Sequence, residues 1–308
     1  MIMGKDNKRV LGGRDIVVSP IAFGLWRFVG NDVAGAAAKV HAALDLGIDF
    51  FDVAAVYGLD WGGSAFGESE ALLGQVFARE PALRKRIVLA TKFGIVPGIP
   101  YDSSPEAVIA SCEASLKRLN TDVIDLFQVH RPDVLSHPID LANALSALKK
   151  QGKIREAGVS NYSARQSLVL QQFLDFELAS HQPEFSALHL DPVQDGVFDQ
   201  CLSRNMTPLA WSPLAGGKLS LSLHEAHQSD PSGRLAKVIS ALDLVAAKHG
   251  VSRTVLALAF VMRHPARPIP VIGTQTPARM AEAMRAAEVS ISRAEWYAIA
   301  SAAGMPLP

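Results

Sequence analysis

The sequence predicts a single-domain α/β protein of the (β/α)8 TIM-barrel class, and three observations carry that prediction. Short apolar runs alternate with longer stretches of helical period, the pattern of repeated βα units around a parallel sheet. Eight such runs can be counted, the number that closes a barrel. Each run ends on polar or aromatic residues, as barrel strands do where they reach the face that builds an active site. A length of 308 residues is within reach of one such barrel. No Pro/Gly/Ser linker, charge block or low-complexity stretch divides the chain, so residues 1–308 read as one domain.

The strands follow in order. Ile21-Ala22-Phe23 precedes Trp26, and Ile48 to Phe51 ends at Asp52. Ile87 to Ala90 ends at Thr91-Lys92, Val123 to Val129 at His130, and Ile154 to Val159 at Ser160-Asn161. A weaker segment near Ala179 ends at Gln182; Thr207 to Ala210 ends at Trp211-Ser212, and Ile269 to Ile272 at Gly273-Thr274. The clearest helix runs from Ser104 as N-cap and Pro105 at the first turn to Leu119, with Val108, Cys112, Leu116 and Leu119 along one stripe. Asn120 stops it. A second helix is expected over Ala142 to Lys150, closed by Gly152.

Composition narrows the function. Thirty Lys and Arg balance thirty Asp and Glu, so no global field is available to hold nucleic acid or an anionic membrane, and a small molecule is the expected partner. Residues Met1 to Val10 are charged rather than apolar, and the longest apolar run, Val255 to Met262, is too short to span a bilayer. A cytoplasmic protein, monomeric or weakly self-associating, is the expectation. Cys112 and Cys201 lack CxxC spacing and read as reduced and structural.

Taken singly, a strand-end Asp or His is ordinary structure, and Tyr57-Gly58 is an ordinary turn. Together they fit one reaction. Asp52, Lys92 and His130 close three successive strands, and Tyr57 lies in the loop above the same pocket. Hydride addition to a carbonyl produces an alkoxide that needs a proton, and a tyrosine with a pKa of about 10 releases one reluctantly at neutral pH. A lysine ammonium at about 4 Å lowers that pKa by roughly three units at an effective dielectric of about 20. Asp52 would keep Lys92 charged despite burial, while His130 would hydrogen-bond and orient the substrate oxygen. A Schiff base on Lys92, as in a barrel aldolase, is the chemical rival; Asp52 argues against it by keeping the amine protonated.

Other motifs fail on inspection. There is no G-x-G-x-x-G and no G-x-x-x-x-G-K-[ST]. Gly62-Gly63-Ser64-Ala65-Phe66 lacks the second glycine of a nucleophile elbow, and His224-Glu225-Ala226-His227 places its second histidine one position too early for H-E-x-x-H. Both read as loop, and no metal site is expected.

Several stretches, in order, resemble the aldo-keto reductases. They are Gly47 to Ala54 with Tyr57-Gly58, Gly67-Glu68-Ser69-Glu70, Thr91-Lys92, Asp122 to Leu126 with His130-Arg131-Pro132-Asp133, Gly152 to Arg155 with Gly158 to Asn161, and Trp211-Ser212-Pro213-Leu214. The match runs from about Ser19 to about Ala300, and within the family it is nearest to bacterial oxidoreductases of broad or unassigned substrate. The resemblance implies a barrel that binds NADPH, with NADH as an alternative, and reduces a small aldehyde or ketone. Asp52, Tyr57, Lys92 and His130 fall on the family's catalytic positions, with Tyr57 as general acid. Ser160, Asn161 and Gln182 fall where relatives bind the nicotinamide carboxamide, and Trp211 where an aromatic ring stacks on the nicotinamide. Ser212, Leu214, Gly216 and Gly217 open the loop over the pyrophosphate, with Lys218 as a cation there. Trp26 falls on the substrate pocket. Ile272, Gly273, Thr274, Arg279 and Glu282 occupy the adenosine-phosphate segment, which in many relatives reads K-S-x-x-x-x-R-x-x-E-N. Here the lysine is Gly273 and the asparagine Ala283, so a moderate rather than exclusive preference for NADPH is expected. A second rival keeps the fold: some relatives are cofactor-sensing regulatory subunits.

Overall fold

A computed structural model describes residues 8–59 and 62–306. An antiparallel hairpin, β1 (Arg9–Val10) and β2 (Val17–Val18), precedes eight parallel strands. These are β3 (Ala22–Gly24), β4 (Phe50–Asp52), β5 (Val88–Phe93), β6 (Ile124–Val129), β7 (Ile154–Ser160), β8 (Ser180–Gln182), β9 (Thr207–Ala210) and β10 (Ile269–Ile272). They close as one barrel, with β10 pairing both β3 and β9. All eight predicted runs are strands.

The strand period of two explains the inside of the barrel. Phe50, Ala90 and Leu126 belong to the inner core with Leu209 and Ile269, whereas Phe51, Leu89, Phe93, Phe127 and Val129 pack outward against the helices. Two residues on from the inner apolar positions come Asp52, Lys92 and Gln128, and two further from Gln128 comes His130. The inner face therefore turns from apolar to polar over one residue pair, at the C-terminal ends. The charges lie within the strands rather than beyond them: β5 continues through Lys92, opposite Gln128 in register.

The charged N-terminal stretch carries no pattern that marks this hairpin. Leu11, Ile16 and Val18 are buried in the inner core and cover the end of the barrel away from the polar residues. Gly12 makes this possible: its φ is 55°, and a Cβ there would stand 2.5 Å from the Cα of Ala179.

Helices cover the outside. The predicted helix is Pro105–Arg118, capped by Ser104, with Asn120 left-handed behind it (φ 49°). The next one starts a turn earlier than expected, at Pro138, because His137 accepts a hydrogen bond from the Ile139 amide and Pro138 fits the first helical position. The His224–His227 segment is helical rather than loop. It lies on Leu223–Ser229, where Ser222 and Glu225 form a reciprocal capping box. Among the described residues no single helix is long and apolar enough to cross a membrane. Cys112 and Cys201 are buried free thiols, pushed up to about 12 by burial and so unreactive.

Candidate active site

The polar ends of the strands meet in one connected network. Lys92 is fully buried, and its Nζ donates to Asp52 Oδ2 at 2.6 Å, to the Val53 carbonyl at 3.0 Å and to the Tyr57 hydroxyl at 3.2 Å. Burial works against the ammonium, but attraction to Asp52 and to the Tyr57 oxygen outweighs it, and the Lys92 pKa is raised. With all three N–H directions engaged, the nitrogen offers no lone pair for a Schiff base. The other oxygen of Asp52, Oδ1, accepts from Gln182 Nε2 at 3.0 Å and Gln128 Nε2 at 3.4 Å. Ser180 donates to Gln128 Oε1 at 3.0 Å, so the buried carboxylate is satisfied on both oxygens.

Tyr57 is held from below and behind. Its amide donates to the Ala54 carbonyl at 3.0 Å, and its carbonyl accepts from the Ser69 amide at 3.3 Å, while the Ser69 hydroxyl donates to the Leu25 carbonyl at 2.8 Å. Neighbouring carboxylates complete the brace. Glu68 accepts from the Gly30 amide at 2.7 Å, the Ala65 amide at 3.2 Å and the backbone and hydroxyl of Ser64. Buried Glu70 joins the Thr91 hydroxyl to Arg118. The Gly67-Glu68-Ser69-Glu70 motif thus ties the Tyr57 loop to the loop after β3 and to the next βα unit.

His130 follows β6 and meets the Tyr57 ring edge to face, 6.0 Å between centroids. Burial, then the positive charges of Lys92 and Arg131, push its pKa well below the usual 6.5, so it is a neutral imidazole. Asn161, left-handed at φ 59°, donates from Nδ2 to the His130 carbonyl and to Ser160 Oγ, and its Oδ1 accepts from Trp211 Nε1 at 2.9 Å. Ser160 in turn donates to the Gln182 carbonyl at 2.9 Å.

A cavity of about 930 Å³ opens over this network, near the upper end for small-molecule sites. Asp52, Tyr57, His130, Ser160, Asn161, Gln182, Trp211, Ser212, Leu214, Gly216, Gly217, Ile272, Gly273, Thr274, Arg279, Glu282 and Trp26 all line it. Lys92 sits below its floor. Lys218 does not line it: the residue is exposed on the turn Ala215–Ser220, where left-handed Gly216 and Gly217 turn the chain and Leu219 is the side chain that packs inward. Glu282 faces the cavity partly engaged, accepting from Ser252 at 2.6 Å. Ile95, Arg131 and Ser220 lie in the loops after strands, 93–101, 131–137 and 214–233, on which the pocket's shape is expected to depend, whereas sequence reasoning missed Gln128 in the network and Arg27, Val56, Thr254 and Gln275 on the cavity wall. Gln128 had a legible signal, lying one strand period before His130. The others lie on loops and helices with no period to mark them.

The lining offers groups that fit a dinucleotide. Trp211 supplies a flat surface whose indole is oriented by Asn161. Gln275 lines the cavity with a buried Oε1 that no protein donor satisfies, an acceptor left for a ligand. A Cβ on Gly273 would meet nothing within 4 Å, so the segment is open to a ligand there.

Residues 20–303 match the aldo/keto reductase family. The chain is an aldo-keto reductase. As such it is an NAD(P)H-dependent oxidoreductase of a family that reduces carbonyls. Among its relatives, this reductase is 48% identical, over 97% of both chains, to 6-dehydroglucose reductase of Novosphingobium aromaticivorans. It is 33% identical to 6-dehydroglucose reductase of Agrobacterium fabrum, over 94% of this chain and 96% of that one. It is 32% identical to the oxidoreductase YdhF of Escherichia coli, over 92% and 93%. Among solved structures, the thermostable aldo-keto reductase Tm1743 in complex with epalrestat matches with a TM-score of 0.80 at 22% identity, over 96% of this chain and 99% of that one, a likeness of fold.

Proposed function

We propose that this aldo-keto reductase is an NADPH-dependent reductase of polyhydroxylated aldehydes, with 6-dehydroglucose as the leading substrate and Tyr57 as the general acid. The observation that carries the reading is the chain from Asp52 through Lys92 to the Tyr57 hydroxyl, beside a neutral His130, under a cavity of about 930 Å³. The substrate assignment is supported by the 48% identity to a 6-dehydroglucose reductase over almost the whole of both chains.

In this reading Ser160, Asn161 and Gln182 hold the carboxamide end of the nucleotide, Trp211 its ring, and Arg279 with Thr274 its 2'-phosphate. The nucleotide supplies a hydride to the carbonyl carbon. Tyr57 delivers its proton to the carbonyl oxygen as negative charge develops there. The Lys92 ammonium stabilises the phenolate left behind, and Asp52 keeps that ammonium in place. His130, neutral at physiological pH, donates one N–H to the same oxygen and fixes its direction without adding a charge. Lys92 has no free lone pair, so nothing favours an aldolase.

The test is oxidation of NADPH by the purified protein with 6-dehydroglucose, alongside Tyr57→Phe. The variant should bind NADPH as the wild type does and lose nearly all turnover; turnover within a few-fold of wild type would sink the assignment of Tyr57. A wild type that oxidises NADPH with no aldehyde, sugar-derived or simple, would sink the reductase reading and favour a cofactor-sensing role.

A further inference from the structure

Arg131 follows His130 at the end of β6 and lines the cavity. It is half-buried, yet its guanidinium makes no hydrogen bond or ion pair with any described residue. Other half-buried arginines around the barrel are differently placed. Arg84 is bound by Asp125 and two carbonyls, Arg118 by Glu70, and Arg253 by Asp243. The carboxylate two residues on and the two carboxylates that line the cavity are engaged elsewhere. Asp133, two residues on, accepts from the Ser103 and Leu135 amides and from the Ser136 hydroxyl at 2.6 Å. Asp52 is held by Lys92, and Glu282 accepts from Ser252.

A half-buried guanidinium on a cavity wall, with five donors and no protein acceptor, is available to bind the acceptors of a ligand there. Its position says which part of the ligand that is. The carbonyl oxygen must lie within reach of both Tyr57 and His130, and the Arg131 charge is felt at His130. As the chain neighbour of His130 on the wall of the same cavity, Arg131 stands beside the place of the reacting carbonyl. Arg27 also lines the cavity, and Val56 and Ile95 add apolar wall.

We infer that Arg131 is the specificity-determining residue of this reductase, and that its guanidinium binds oxygen atoms carried on the carbons next to the aldehyde of a polyhydroxylated substrate. This rests on the reductase reading above and deepens it. The planar fork suits two neighbouring oxygens, and a sugar whose terminal carbon is the aldehyde offers them. A simple aliphatic aldehyde offers the guanidinium no such oxygens, so it forgoes those charge-assisted hydrogen bonds and binds more weakly.

The test compares DL-glyceraldehyde with propanal, which shares the three-carbon skeleton and lacks the two hydroxyls. Wild type should favour glyceraldehyde in kcat/KM. In Arg131→Met that preference should fall by about ten- to hundredfold, mostly through KM for glyceraldehyde, as expected for loss of charge-assisted hydrogen bonds; Arg131→Lys should recover part of it. Equal losses on the two aldehydes would mean that the residue acts through His130 or through folding, and would overturn the inference. A larger loss on succinic semialdehyde than on glyceraldehyde would assign the guanidinium to a carboxylate and overturn it too. Binding of D-glucose to the NADP+-loaded protein, followed by calorimetry, needs no turnover: Arg131→Met should weaken it at least about tenfold. Equal D-glucose binding by wild type and variant, or none by the wild type, refutes the role of Arg131 even if the reductase reading stands. A reductase reading that fails on turnover leaves this binding result to decide the matter for Arg131 alone.

Discussion

Replacing Lys92 with methionine separates the two things its charge does. Nζ lies 3.2 Å from the Tyr57 oxygen, so at an effective dielectric of about 20 the ammonium stabilises a phenolate by about 5 kcal/mol. If about half to all of that is expressed in the transition state, the single-turnover rate falls by roughly a hundredfold to several thousandfold. The second effect is on folding. Asp52, 1% exposed, keeps its bonds from Gln182 and Gln128 but loses its counter-ion, and breaking a buried pair costs about 3 to 5 kcal/mol. Adding Asp52→Asn removes the orphaned charge. The double variant should regain much of the stability and none of the rate. Stopped-flow NADPH oxidation, NADPH titration by fluorescence and thermal unfolding read the three quantities separately. A variant with an unchanged single-turnover rate and a large rise in the NADPH dissociation constant would refute the reasoning, as would a double variant that recovers the rate.

Two further outcomes are expected. His130 should stay neutral at physiological pH and remain so on acidification through the usual imidazole range, because burial and two nearby cations disfavour the imidazolium. Its folded pKa lies below the unfolded value of about 6.5, so it contributes stability that is complete above that value and declines on acidification. Imidazole 15N shifts that titrate near 6.5 would contradict this. Arg279 is exposed at the cavity, on the first turn of the helix Pro277–Met284, where an anion also meets the helix N-terminus. Arg279→Ala should weaken NADPH about ten- to hundredfold and NADH much less. Gly273→Lys, at a position with open space for a side chain, should sharpen the preference for NADPH. Equal effects on both nucleotides would show that this segment does not read the phosphate.

The alternation of apolar runs and helical stretches determined the barrel by itself, because a strand period of two and a helix period of 3.6 are local properties of the chain. All eight strands and the cap at Ser104 follow from such local patterns. The strand-end positions of Asp52, Lys92 and His130 were legible for the same reason: parallel strands of one barrel bring their C-terminal ends to one face. Tertiary structure alone decided who satisfies whom. Asp52 and Gln182 are 130 residues apart, and nothing local says that Gln182 and Gln128 share a carboxylate oxygen or that Ser180 anchors Gln128. Likewise the hairpin at residues 9–18 reads as a polar terminus until Leu11 finds the open end of the barrel, since burial there depends on strands far along the chain. Lys218 and Arg131 make the same point from opposite directions. Both are basic loop residues, and only the path of the left-handed Gly216-Gly217 turn, and the prior engagement of Asp133 by Ser103, Leu135 and Ser136, leave one exposed away from the cavity and the other facing it with its donors unfilled.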